Sequence, residues 1–171
     1  MSSILLLIPP SNFNEKEYST TRQALEQTGI QITLTSVTTD QVTGMGGMKL
    51  QPDKELRSTN PNNYDGLVII GGSGTPQLLD YPEVIDRVKK FEEQGKLIAA
   101  ICLAPIVLAK AGILKGVMCT VFPTDFSLGW LKEGGATYSK MPVVEDENII
   151  TANGPKAAEE FADKILKKFN L

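Results

Sequence analysis

The sequence contains no histidine. That absence excludes a Ser-His-Asp or Cys-His couple within one chain, and any imidazole-bound zinc site. Cysteine is scarce as well, with only Cys102 and Cys119. Two cysteines are too few for a disulfide framework, and without histidine they suit structural zinc poorly. They point to a reducing, cytoplasmic setting. Basic charge is not in excess: 17 lysines and arginines face 20 aspartates and glutamates, for a net charge of −3. No electrostatic footprint for nucleic acid is present. No apolar run approaches the ~20 residues of a membrane span. The short apolar Ser3–Pro10 stretch lacks a preceding basic region, so it does not read as a signal peptide. Internal repeats and low-complexity tracts are missing too. The expectation is one domain over residues 1–171, long enough for a substantial core, with no metal and no cofactor.

What is present is an alternation of buried strands and amphipathic helices. Ser2–Ile8 is a continuous apolar run of strand length, as expected for a strand covered on both faces. A helix start follows the Pro9-Pro10 loop. Asn14 is placed as N-cap, Glu17 as the N3 residue of a capping box, and Phe13 and Tyr18 as a hydrophobic staple. The helix is expected to stop at Gly29. Ile30–Val37 alternates and is β-branched, a second strand. The glycines of Gln41–Leu50 suggest a small hairpin. Asp53–Arg57 reads as one helical turn, and Ser58–Asn63 as a surface loop. Leu67–Ile70 is a buried strand closed by Gly71-Gly72-Ser73-Gly74. A helix opens around Asp80, Pro82 and Glu83, with Ile85, Val88 and Phe91 on its buried face.

Beyond the central strand that ends at Ile101, Gly116–Val121 reads as a strand carrying Cys119 in the core. Asp125 suits a helix N-cap, and Phe126 and Trp130 suit core or interface. Thr137–Tyr138, Val143–Val144 and Ile149–Thr151 are short strands. A last helix after Pro155 carries Ala158, Phe161, Ala162, Ile165 and Leu166 as its apolar stripe. This alternation predicts an α/β three-layer sandwich with a mostly parallel sheet. In such sheets, small-molecule sites lie at the carboxyl ends of the strands.

The best-marked place for chemistry is Lys96–Pro105. An apolar strand runs into Cys102, and a helix begins at Pro105. Ala100 and Ala104, two residues to either side, are small enough for a sharp turn, a relaxed form of the nucleophile elbow. A free cysteine at a strand end is often plain core. At a helix N-terminus it is expected instead to have a depressed pKa and to act as a functional thiol. Gly71-Gly72 is a turn that glycine suits. Its Gly72 N–H and the Leu103 N–H are placed to form an oxyanion hole. Glu17 has two readings, a capping-box residue on a plain helix or a carboxyl group working beside Cys102.

At these residues the chain resembles the ThiJ/PfpI superfamily over nearly its whole length. The resemblance rests on Ala99–Pro105, Ile70-Gly71-Gly72, Glu17, and Thr151-Ala152-Asn153-Gly154-Pro155. It implies a flavodoxin-like, glutamine-amidotransferase-like fold and a homodimer. It further implies that Cys102 is the reactive cysteine with Glu17 as its partner, and that Gly72 and Leu103 are backbone donors. Gly71, Phe122 and Pro123 would line the site. Phe122 stands where many catalytic members carry histidine, and Leu103 where the protease-like branch does, so peptide hydrolysis is poorly supported. The expected function is a reactive-cysteine protein of oxidative or carbonyl stress, with small reactive carbonyls or oxidants as partners. The alternatives are a cofactor-independent glyoxalase or deglycase of weak activity, and a non-catalytic chaperone or assembly protein in which Phe122 fills the histidine's space.

Overall fold

A computed structural model describes residues 1–171. Its strands and helices in chain order are β1 (Ser3–Leu7), α1 (Glu15–Gln27), β2 (Gln31–Ser36), β3 (Val42–Thr43), β4 (Lys49–Leu50), β5 (Lys54–Glu55), β6 (Gly66–Ile69), α2 (Pro82–Glu93), β7 (Leu97–Ile101), α3 (Pro105–Lys110), β8 (Met118–Cys119), α4 (Asp125–Glu133), β9 (Thr137–Tyr138), β10 (Val143–Asp146), β11 (Ile149–Ala152) and α5 (Ala158–Lys168). Seven strands form one sheet in the order β10-β11-β7-β6-β1-β2-β5. All its pairings are parallel except β10 with β11. This is the flavodoxin-like architecture.

The apolar runs explain why the middle strands are central. Side chains alternate across a strand, so Leu5 and Leu7 of β1 enter one core with α2 and α3, while Ile4 and Leu6 enter another with α1 and α5. β6 and β7 divide in the same way: Leu67, Ile69, Ile98 and Ala100 on the first face, Val68, Leu97, Ala99 and Ile101 on the second. A strand must be apolar on both faces to sit between two helical layers.

The chain leaves β1 for β2 on one side and returns to β6 on the other. That reversal opens a crevice at the carboxyl ends of β1 and β6, where ligands bind in sheets of this kind. The loops after β1, β6 and β7 all reach it.

Several local expectations are corrected. Gly116–Val121 is not a strand of the main sheet. Only Met118–Cys119 pairs, and it pairs with β9 in a separate two-stranded sheet, because β11 already occupies the edge of β7. Cys119 is nonetheless fully buried. Residues 53–57 are not one helical turn: Lys54–Glu55 pairs with β2, and a 3₁₀ turn begins only at Leu56. The Ser58–Asn63 stretch is not simply surface, since Thr59 and Pro61 are buried. There Arg87 donates from Nη2 to the Thr59 carbonyl at 2.8 Å and to the Arg57 carbonyl at 3.0 Å. Val84 rather than Ile85 is the fully buried residue of its turn in α2. Thr124, not Asp125, caps α4, in a reciprocal capping box with Ser127. Phe126 is half exposed and meets Trp130 edge to face. The β3–β4 hairpin is as expected.

Candidate active site

Cys102 follows β7 directly and adopts φ 64°, the left-handed region that a non-glycine residue occupies at a cost of about 1–3 kcal/mol. The turn is clamped on both sides. The Cys102 N–H donates to the Ala152 carbonyl at 2.8 Å, and its carbonyl accepts from the Phe122 N–H at 2.8 Å. Ala100 and Ala104 are both fully buried, as tight packing around such a turn requires. The elbow expected from the residues is therefore present.

The two readings of Glu17 are separated by its neighbours. The Asn14 side chain does cap α1, accepting from the Glu17 N–H at 3.0 Å. A full capping box would also need the Glu17 carboxyl to return to the Asn14 N–H. That N–H instead donates to the Gly71 carbonyl at 2.9 Å. The Glu17 carboxyl turns inward, and its Oε1 accepts from the Gly71 N–H at 3.0 Å. The Phe13–Tyr18 staple is formed, with ring centroids 5.8 Å apart.

Glu17 is fully buried, and its Oε2 has no formed hydrogen bond. Cys102 is the side chain beside it. The thiol leaves Oε2 without a formed hydrogen bond, and the Glu17 charge acts on the sulfur at close range. Burial raises the Glu17 carboxyl to about 7, against smaller lowering effects of the Gly71 N–H and of Cys102. Burial likewise pushes the Cys102 thiol up, to about 12, and the Glu17 charge pushes the same way. The N–H groups of Gly72 and Leu103 act on the sulfur in the opposite sense and are outweighed. The expected depressed thiol pKa is thus corrected. The cysteine is only 7% exposed, it faces a carboxyl group, and α3 behind it is only six residues long. Desolvation wins over the helix end.

Glycine at residue 71 is required by space. A Cβ there would lie 2.5 Å from the Ile101 carbonyl oxygen, 2.7 Å from the Cys102 Cβ and 3.1 Å from Glu17 Oε1. Gly72 has φ 126°, and a Cβ would strike the backbone of residues 12–14. Both donors expected for an oxyanion, Gly72 and Leu103, therefore come from rigid backbone beside the sulfur.

Phe122 is 43% exposed. Its ring lies over Gly154, where an added Cβ would meet Phe122 Cδ2 at 3.3 Å. The space expected to hold a histidine is thus walled by an aromatic ring and Pro123. A groove of about 370 Å³ runs between Phe122, Pro123 and the Asn153–Lys156 turn. A larger one of about 710 Å³ continues past Pro123 and Asn153 toward Lys132, Tyr138 and Lys140. In the sequence, Asn153 stands out only as part of the Thr151–Pro155 stretch. Its role as a wall shared by both grooves has no local signature, and neither do Lys132, Tyr138 and Lys140. No group of three or more histidine, cysteine, aspartate or glutamate side chains is arranged to hold a metal ion. No helix is long and apolar enough to cross a membrane.

A sequence model of the DJ-1/PfpI family matches residues 2–168. An uncharacterized protein of Methanocaldococcus jannaschii is 37% identical over 167 residues, 97% of this chain and 82% of that protein. The glutathione-independent glyoxalase DJR-1.2 of Caenorhabditis elegans is 33% identical over 166 residues, 96% of this chain and 87% of its own length. Among solved structures, a ThiJ/PfpI domain protein from Brachyspira murdochii superposes with a TM-score of 0.93 at 26% identity, covering 98% of this chain and 96% of that one.

Proposed function

The chain belongs to the DJ-1/PfpI family, and on that premise we propose that it converts small 2-oxoaldehydes to 2-hydroxy acids without a cofactor, using Cys102 and Glu17. The observation that carries this reading is the Glu17 carboxyl, buried beside Cys102, held by the Gly71 N–H and raised to about 7. Near neutral pH such a group is partly ionised and partly protonated, so it can both take and return a proton. A histidine is then not needed.

The sulfur attacks the aldehyde carbon, and the thiol proton passes to the Glu17 carboxylate. The new S–C bond turns the aldehyde oxygen into an oxyanion, which the Gly72 and Leu103 N–H groups stabilise. Glu17 returns the proton to that oxygen, giving a hemithioacetal. The carboxylate next removes the proton from the same carbon, and the resulting enediol is reprotonated at the neighbouring carbon. This leaves a thioester of the 2-hydroxy acid. Water cleaves the C–S bond, releasing the acid and restoring the thiol. No electron leaves the system: one carbon is oxidised and its neighbour reduced.

The high thiol pKa favours this reading over an oxidant sensor. The thiolate is the form that peroxide attacks, and burial and Glu17 both oppose it. Addition to a carbonyl with proton transfer to Glu17 needs no standing thiolate. The test is chiral analysis of lactate formed from methylglyoxal. Product is expected from the wild-type protein and is expected to be lost in both Cys102→Ser and Glu17→Gln. Absence of turnover with every 2-oxoaldehyde tried would refute the reading.

A further inference from the structure

The two grooves beside Cys102 share Pro123 and Asn153 and so form one trough. Backbone hydrogen bonds tie the near end of the trough to Cys102. Phe122, which walls one end, donates its N–H to the Cys102 carbonyl, and Asn153 follows Ala152, whose carbonyl accepts from the Cys102 N–H. Its far floor is apolar, built from Leu128, Leu131 and the Tyr138 ring. Lys132 and Lys140 line the far compartment and Lys156 the near one, and no acidic residue lines either. None of these three lysines takes part in an ion pair or hydrogen bond within the protein. Three unpaired cations thus surround an apolar floor. The far compartment's volume of about 710 Å³ falls in the range of small-molecule sites.

We propose that this trough binds organic acids with an apolar body, and that the carbonyl compounds reaching Cys102 carry a carboxylate held by Lys132 and Lys140. The apolar chain of the ligand lies on Leu128, Leu131 and Tyr138, while its carbonyl end points past Pro123 and Asn153 to the sulfur. The second half of the proposal rests on Cys102 being the attacking group. The first half does not.

Two measurements separate the halves. Calorimetric titration of the Cys102→Ser protein with 4-phenylbutyrate tests binding without chemistry. The acid is expected to bind about fivefold more tightly than 4-phenylbutanamide at low salt, the scale of two exposed charge contacts. That advantage is expected to vanish in Lys132→Gln/Lys140→Gln and to shrink as salt is raised, while Lys89→Gln/Lys167→Gln keeps it. Equal binding of acid and amide, or an advantage that survives loss of Lys132 and Lys140, would overturn the trough. So would a dimer in which both lysines resist acetylation and the acid does not bind, because a second copy would then cover this face. The other measurement compares kcat/KM for 4,5-dioxopentanoate and 2-oxopentanal in the wild-type protein. A ratio of about five or more that falls toward one in the double lysine variant supports the substrate class. Equal rates would refute that class and leave Cys102 chemistry standing. Phenylbutyrate binding with turnover of neither aldehyde would refute the chemistry instead.

Discussion

Glu17 and Cys102 each shift the other's hold on its own proton. Each lies in a dry site, each raises or lowers the other's affinity for a proton, and Glu17 is anchored there by the Gly71 N–H at 3.0 Å. Such a pair titrates as a unit, so its behaviour is best read through substitutions that remove one partner.

The first expectation concerns thiol reactivity. In the wild-type protein, iodoacetamide alkylation of Cys102 is expected to stay slow through pH 9, because burial and the Glu17 charge hold the thiol at about 12. Glu17→Gln removes that charge, so the thiol pKa falls and alkylation at pH 9 speeds up. Thiolate absorbance near 240 nm against pH checks this. A wild-type midpoint near the free-thiol value of ~8.5 would contradict it.

The second concerns stability. Glu17 binds its proton more tightly in the folded state, about 7 against a usual 4.5. Between those values the folded protein holds more protons than the unfolded chain, so stability falls as pH rises from about 5 to about 7 and then levels. The shift corresponds to about 3 kcal/mol as an order of magnitude. Glu17→Gln lacks this term, so urea melts at pH 5 and pH 8 are expected to show the variant gaining on wild type at the higher pH. A pH-independent difference would refute the raised carboxyl.

Gly71→Ala tests the close packing of the site. Its Cβ would meet backbone and the Cys102 Cβ at 2.5–2.7 Å, and neither is a flexible side-chain end. Overpacking of this kind costs about 1–3 kcal/mol. A lower denaturation midpoint together with loss of lactate formation is expected, whereas a neutral effect would mean that the loop after β6 can move.

Arg87 is the control far from the chemistry. Its guanidinium bonds the Arg57 and Thr59 carbonyls, so Arg87→Met leaves buried acceptors unpaired. A loss of about 2–4 kcal/mol is expected in denaturant melts, with kcat on methylglyoxal unchanged in the folded fraction.

Phe122→His places an imidazole where the aromatic ring walls the trough. A second proton carrier beside the pair is expected to raise kcat about tenfold or more. A kcat equal to wild type would show that Glu17 already suffices for proton transfer.

The order of elements, the parallel sheet and the elbow were legible in local pattern. The continuous apolar runs of β1, β6 and β7 demand burial on both faces, and only a layered α/β fold supplies it. Cys102 between an apolar strand and Pro105, with Ala100 and Ala104 beside it, marked the turn without any structure. The misreadings fall where partners are distant. The segment around Cys119 has strand composition, but the edge it would have joined is taken by β11. Lys54–Glu55 is polar yet extended, because β2 offers it an edge.

The sequence by itself determined which residues are candidates for chemistry, since a chain without histidine and with two cysteines leaves few of them. Only the tertiary structure decided how they are placed. The local pattern at Glu17 is a capping box, and it is the Gly71 carbonyl, from the distant loop after β6, that occupies the Asn14 N–H and lets the carboxyl turn toward Cys102. The helix end behind Cys102 promised a low thiol pKa, and burial together with the Glu17 charge reversed it. Both outcomes depend on desolvation and on hydrogen-bond partners brought in from far along the chain.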